Sequence, residues 1–434
     1  MLDKVNQLAK EFKPQMEALA QALIKLPSEP GHEKEVSEIC IKEMEKLGFD
    51  EIFRDQWGNV VGIIKGDTPG PVIMYNSHMD TVDVGDLTKW EGFDPHGATR
   101  TMYQAANQDN TAEEATEVII GRGACDMKSS IAAHIYGGAI LKELKKRFGY
   151  KQRGDYLLAT VVMEEYGDMI GTIKLVEETL PARNIKISAG VFGEPSSLML
   201  ALGHRGRMEL QVEVLGKSIH TGMAQFGVNA VSKAGKFIVE YEKLVKEENK
   251  YDPDLGNSGL ALTIITCFPG NLATVPGLCT IIYDRRITPE ESPAYCVDQA
   301  QRVIDQLAKQ DPDFSAKVTV RAETHTTYTG IDVRIPNQKG ALKLDVKHPV
   351  TMACAAGLAG VGQDVKYKYW GFSTDMPATQ VNLGIPSLGY SGLQECYAHL
   401  PIERVRLDYL EKGLAGGVGM YLKLSELEAK DFVL

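Results

Sequence analysis

Residues 70–82 constrain this chain more than any other stretch. The run Val72-Ile73-Met74-Tyr75, opened by Gly70-Pro71, has the apolar signature of a buried strand. His78 and Asp80 follow at its carboxyl end, the edge at which open α/β sheets hold their ligands. Residues i and i+2 of a strand point to the same side, so an imidazole and a carboxylate leave the sheet together. A metal-ligating histidine needs an acceptor such as a carboxylate on its other ring nitrogen. An isolated H-x-D is more often an ordinary strand end, but here related sites recur downstream.

Leu157 to Met163 reads as a buried strand ending at Glu164-Glu165, and Ala189 to Phe192 as another ending at Gly193-Glu194-Pro195. The turn Gly121-Arg122-Gly123 passes Asp126 into a helix from Ser129 to about Arg147. This alternation of helices and apolar strands implies an α/β sheet. Residues 85 to 117, rich in Gly, Asn, Asp and Thr, read as a long loop. From Met208 the texture changes. Met208, Leu210, Val212 and Val214 alternate with Glu209, Gln211 and Glu213, a strand with one wet face. A helix, two strands, a second helix and a last strand follow, and βαββαβ is the ferredoxin-like order. The expected organisation is an α/β body, residues 1–204 and 323–434, interrupted by an inserted ferredoxin-like lid at 205–322.

A chain of 434 residues is too long for one typical core, in keeping with that division. The net charge of -11 argues against a nucleic-acid or anionic-membrane partner. Seven scattered cysteines without a C-x-x-C fit a reduced, cytoplasmic protein. Met1 to Pro14 lacks the apolar core of a signal peptide, and no run approaches bilayer length.

The polar groups at strand ends and in the late segment Glu395-Cys396-Tyr397-Ala398-His399 form an N/O donor set. Two imidazoles and several carboxylates without thiolates suit zinc, manganese or cobalt. Each member alone has a plain reading: Asp126 as a helix cap, Glu194 as a turn residue, His399 as a core histidine. Their joint recurrence favours a metal centre. The glycine spacing of a phosphate loop and the G-x-S-x-G elbow of a serine hydrolase are both absent.

Ser77-His78-Met79-Asp80-Thr81-Val82, Gly121-Arg122-Gly123 with Asp126-Met127-Lys128, Glu164-Glu165, Gly193-Glu194-Pro195-Ser196 and Ala398-His399 together resemble the co-catalytic zinc aminoacylase and peptidase family. That family includes acetylornithine deacetylase, succinyl-diaminopimelate desuccinylase and glutamate carboxypeptidase. The resemblance spans about 20 to 425 and implies a metallopeptidase-type α/β catalytic domain with an inserted lid and dimerisation domain. It implies that Asp126 bridges two metal ions, that His78 and Glu194 complete one and Glu165 and His399 the other. Asp80 would orient His78, and Glu164 would be the general base. In the lid, His220 would stabilise the oxyanion across a homodimer interface, reaching the neighbour's metals, with the strand Met208 to Val214 supplying an edge for pairing. Arg286, in Asp284-Arg285-Arg286, would meet a substrate carboxylate, against a plain pairing with Asp284. Ser373 and Thr374 fall in a substrate-contacting loop. The expected reaction is hydrolysis of an amide in a small N-acyl amino acid or dipeptide-like substrate. The alternatives are an N-carbamoyl or ureido amidohydrolase on the same fold, and a non-catalytic metal-stabilised binding protein.

Overall fold

The computed structural model describes residues 1–434. Its larger sheet has nine strands, and the strand Thr68–His78 lies near its middle. Arg153–Val161 and Ala189–Phe192 flank it, both parallel to it. Ser387–Gly389, Leu200–His204 and Leu342–Lys343 extend the sheet on one side, Val60–Ile64 and Glu51–Arg54 on the other. Val60–Ile64 is buried along its whole length, as a strand covered on both faces must be.

The helices Leu2–Ile24, Lys128–Phe148, Pro349–Gly360 and Leu407–Leu424 pack together on this body. Lys128–Phe148 is buried along most of its length and carries Ala and Gly where bulk would not fit. Where Pro349–Gly360 meets Leu407–Leu424, a Cβ on Gly357 would lie 2.4 Å from the carbonyl oxygen of Gly419. The backbones touch there, so glycine is required. No helix of the protein is long and apolar enough to cross a membrane.

The second sheet is antiparallel, in the order Gly259–Phe268, Leu278–Ile287, Gly206–Leu215, Ser315–Val320, with Gln338–Lys339 joining Gly206–Leu215. The helices Ala230–Glu247 and Pro293–Gln310 cover its apolar face around Phe237, Tyr241 and Ile281. Gly206–Leu215 alternates buried and half-buried residues, as its sequence pattern requires. It is a central strand, however, and not the pairing edge expected of Met208 to Val214. Both of its sides are occupied, by Leu278–Ile287 and by Ser315–Val320. The edges are Ser315–Val320 and Gly259–Phe268, and on the latter Ile264, Ile265 and Phe268 are exposed.

Residues 85 to 117 are not a loop throughout. Thr99–Ala106 and Glu113–Ile120 form a hairpin, and Arg404–Arg406 adds a third strand. The hairpin is polar and largely wet except at Ala105, Ala106 and Val118–Ile120, so it lacks the apolar run that marks a strand.

Candidate metal centre and its cavity

The strand register brings the acidic residues to one edge. His78 pairs with Val161 and Asn76 with Phe192, so Glu164, Glu165 and Glu194 emerge just beyond the same end as His78. Asp126 arrives from the turn before the helix Lys128–Phe148. His399 follows the short helical turn Glu395–Tyr397 with φ of 63°, a left-handed backbone that points to local constraint.

Two groups of donor atoms result, His78, Asp126 and Glu194 in one and Asp126, Glu165 and His399 in the other. Asp126 belongs to both. Its Oδ1 is 3.1 Å from His78 Nε2 and its Oδ2 is 3.2 Å from His399 Nε2. Glu194 Oε1 lies 3.8 Å from His78 Nε2, and Glu165 Oε2 lies 3.0 Å from His399 Nε2.

The residues behind these groups hold them in place. His78 Nδ1 is 2.9 Å from the backbone carbonyl of Asp80 and 3.6 Å from its carboxylate, which leaves Nε2 to face the cluster. The Asp80 carboxylate accepts the backbone N–H groups of Glu164 and Glu165 at 3.1 and 2.8 Å. It therefore anchors the Glu164-Glu165 turn as well as His78. Met163, with φ of 58°, makes that turn, and its N–H donates to the buried Glu33. Glu403, fully buried, accepts the N–H groups of Cys125 and Asp126 and pairs with Arg122 at 2.6 Å.

The electrostatics fit a pair of cations. Burial, and then the Asp126 charge, raise Glu165 to about 7 and lift Glu194 well above the usual carboxylate range. Hydrogen bonds to Asp126 and Glu165 raise His399 to about 11. Burial opposes a charge on His78, but Asp126 and Asp80 outweigh it and raise its pKa. Fully ionised, the carboxylates would carry more negative charge than the two imidazoles offset, and their raised pKa values express that repulsion. Glu165 Oε1 is buried without a hydrogen-bond donor. An orphaned buried carboxylate oxygen beside a bridging aspartate is what a divalent cation would satisfy.

A cavity of about 350 Å³ opens over these groups. Its far wall carries Arg207 and Arg286 from the second sheet, and Ser373 lies on its rim. Arg286 Nε is 2.7 Å from Asp284, the plain pairing, while the side chain still lines the cavity. Thr374, expected to contact substrate, turns inward instead. Its N–H donates to His204 Nε2 at 3.2 Å and it is fully buried. The ring of His204 donates from Nδ1 to the Arg205 carbonyl, so the pair is a buried structural contact. His220 is exposed, accepts the Gly222 N–H and makes no contact with the cluster of its own subunit.

Four residues of the site escape a reading of the sequence. Arg207 pairs with Asp284 and Glu209, and Lys339 lies 2.8 Å from Glu164 Oε1. Asp375 is buried beside Lys339, and Glu403 sits under Asp126. Arg122, inside a glycine turn and next to the site, calls for a buried acid, the one signal that could have led to Glu403. Nothing around Gln338-Lys339-Gly340 marks Lys339.

The pattern of the peptidase dimerisation domain matches residues 202–312. Succinyl-diaminopimelate desuccinylase of Nitrosospira multiformis is 30% identical over 282 residues, covering 62% of this chain and 67% of that protein. The chain belongs to the M20 peptidase family. The uncharacterized protein YgeY of Escherichia coli is 29% identical over 403 residues, 93% of this chain and 92% of that one. Aminopeptidase PepT of Bacillus cereus superposes with a TM-score of 0.68 at 17% identity, over 95% of this chain and 99% of that one. At that identity the likeness speaks for the fold.

Proposed function

We propose that this M20 family member hydrolyses an amide bond in a small N-acyl amino acid or dipeptide-like substrate with a free carboxylate. The observation that carries the reading is the pair of donor groups sharing Asp126, with the unliganded Glu164 beside them in the cavity. His78, Asp126 and Glu194 would hold one divalent ion, and Asp126, Glu165 and His399 the other, Zn2+ being the first choice for this donor set and Co2+ or Mn2+ the substitutes. Two such ions, when bound, lower the pKa of a water to about 7 and polarise the amide carbonyl.

The chain's own residues do the rest. Glu164 Oε1 is held by Lys339, which leaves Oε2 to take a proton from the attacking water and pass it to the leaving nitrogen. Arg286 offers its guanidinium to the substrate carboxylate. Burial of the acidic wall excludes bulk water, which strengthens each of these interactions. The matched dimerisation domain and the open apolar edge Gly259–Phe268 support a homodimer formed through the lid. In that assembly His220, exposed at its turn, would reach the partner's cavity and add a donor to the oxyanion.

The test is metal analysis with kinetics on a panel of N-acyl amino acids, dipeptides and N-carbamoyl amino acids. Wild type should carry about two metal ions per chain. Glu164→Gln should keep them and lose roughly a hundredfold or more in rate. Near-normal turnover in Glu164→Gln would remove Glu164 as the base. Ammonia from the N-carbamoyl compounds alone would move the enzyme to the ureido hydrolases. Glu164→Ala mixed with His220→Ala under subunit exchange should regain activity, because one site of each heterodimer has neither defect. No recovery despite exchange would exclude the shared site.

A further inference from the structure

Lys339 sits where the two sheets meet. Its backbone pairs with Arg207, so it belongs to the ribbon that carries the second sheet. That ribbon is tight, since a Cβ on Gly206 would lie 2.5 Å from the Lys339 carbonyl oxygen. The side chain runs the other way, into the body, and the residue is 1% exposed. A buried ammonium is costly unless it is paired and hydrogen-bonded. Here Nζ is 2.8 Å from Glu164 Oε1 and 3.8 Å from Asp375 Oδ1.

Asp375 is itself fixed. Its Oδ2 accepts the Thr172 hydroxyl at 2.6 Å, and Thr172 Oγ1 accepts the Asn76 amide at 3.1 Å. Asn76 lies two residues before His78 on the central strand. Asp375 Oδ1 has no hydrogen-bond partner, so the ammonium at 3.8 Å is the charge it faces. The chain Asn76, Thr172, Asp375, Lys339, Glu164 thus runs from the metal-bearing strand to the base. Without it, Glu164 would stand beside Glu165 and Glu194 with only repulsion to direct its three side-chain torsions.

We infer that Lys339, backed by Asp375, is a positioning residue that pins one oxygen of Glu164 and ties the posture of the base to the seating of the lid ribbon. The inference rests on the reading of Glu164 as the base. It differs from a substrate-binding role, in which Lys339 would meet the ligand, and from a purely structural one, in which Glu164 would be incidental.

A double-mutant cycle separates these, using the panel substrate that wild type cleaves fastest. Lys339→Met should lower kcat by about tenfold to a hundredfold, the cost of a misplaced group, and move KM far less. Lys339→Arg should recover part of the loss. In the Glu164→Gln background Lys339→Met should cost nothing further, because the group it positions is gone. Metal content and melting temperature are read on every variant. If Lys339→Met does not fold, Asp375→Asn and Lys339→Arg carry the same cycle. An equal loss in both backgrounds, an unchanged kcat, or a raised KM with kcat intact would each overturn the inference. Slow Glu164→Gln with normal Lys339→Met defeats this inference alone. Fast Glu164→Gln, or a wild type that cleaves nothing on the panel, defeats the reading beneath it.

Discussion

One wall of the cavity is formed by Glu164, Glu165 and Glu194 from strand ends and Asp126 from a helix-leading turn, all on a core of 69 buried residues. The other is formed by Arg207 and Arg286 on a sheet whose core has 19. The first wall is buried and braced from behind by Asp80 and Glu403. The second is half exposed, and its arginines share one aspartate. On the function proposed, the geometry that must stay fixed is set in the larger core, and the groups that would meet substrate stand on the smaller, wetter one. The body should therefore punish substitution heavily and the lid lightly.

The largest expected break in that contrast is Glu403→Ala. It strands the buried Arg122 and frees two N–H groups beside Asp126. Loss of one partner of a buried ion pair costs about 3–5 kcal/mol. Urea unfolding followed by tryptophan fluorescence measures it, since Trp57, Trp90 and Trp370 all lie in the body. A loss under about 1 kcal/mol would mean the turn holds itself.

Next comes acid sensitivity. Burial holds His134 and His204 at about 3, against an ordinary 6.5. Between those values the unfolded chain binds protons that the folded body refuses, so stability falls as pH drops through that window. At pH 5 each histidine costs on the order of 2 kcal/mol relative to pH 7. In the lid, Arg302 draws Glu248 to about 2, and Lys233 and Lys236 draw Asp311 to about 2. Their contributions are present above the ordinary carboxylate range and fade only as pH falls from there towards 2. His134→Asn should flatten the body's slope between pH 7 and 5, and an unchanged slope would refute the assignment.

Smaller effects belong to the lid. Arg286→Ala should raise KM about tenfold, near 1.4 kcal/mol, for substrates with a free carboxylate and leave their neutral amides unaffected. Equal effects on both would contradict carboxylate recognition. Asn229 caps the helix Ala230–Glu247 by accepting the Val231 and Ser232 N–H groups. Asn229→Ala should cost about 1 kcal/mol, visible as an earlier loss of lid helicity.

The same contrast decides what could be read from sequence. Strand ends that carry acids after apolar runs are local patterns, so His78, Glu164, Glu165 and Glu194 were legible as a set, while Asp126 and His399 took their places in it from the family resemblance. The ferredoxin-like order was legible too, because the alternation of Met208 to Val214 marks where the texture changes and two helices punctuate the strands after it. Thr99–Ala106 was not, because a wet hairpin has no apolar stripe to betray it. The central place of Gly206–Leu215 depends on which strands come to pair with it, a long-range fact that no window of sequence contains. Lys339 and Asp375 are isolated polar residues far apart in the chain, and only their shared burial gives them meaning. Thr374 was misjudged because its neighbour Ser373 faces the cavity while it faces His204.

The two crossings between the sheets lie side by side, with Leu342 the antiparallel partner of His204 and Lys339 the partner of Arg207. Between them run the second sheet and then the hairpin Ala322–Pro336, whose Tyr328 and Val333 pack back on the body. Partners across such a ladder stand about 5 Å apart, a gap that a two-residue turn closes. Excising everything between the crossings would, however, take Val333 from the body's core and Lys339 from Glu164, as well as the lid. A foreign module with adjacent ends could take the lid's place only if Tyr328, Val333 and Lys339 stayed, so the cavity's floor reaches past the second sheet to the end of the returning ribbon.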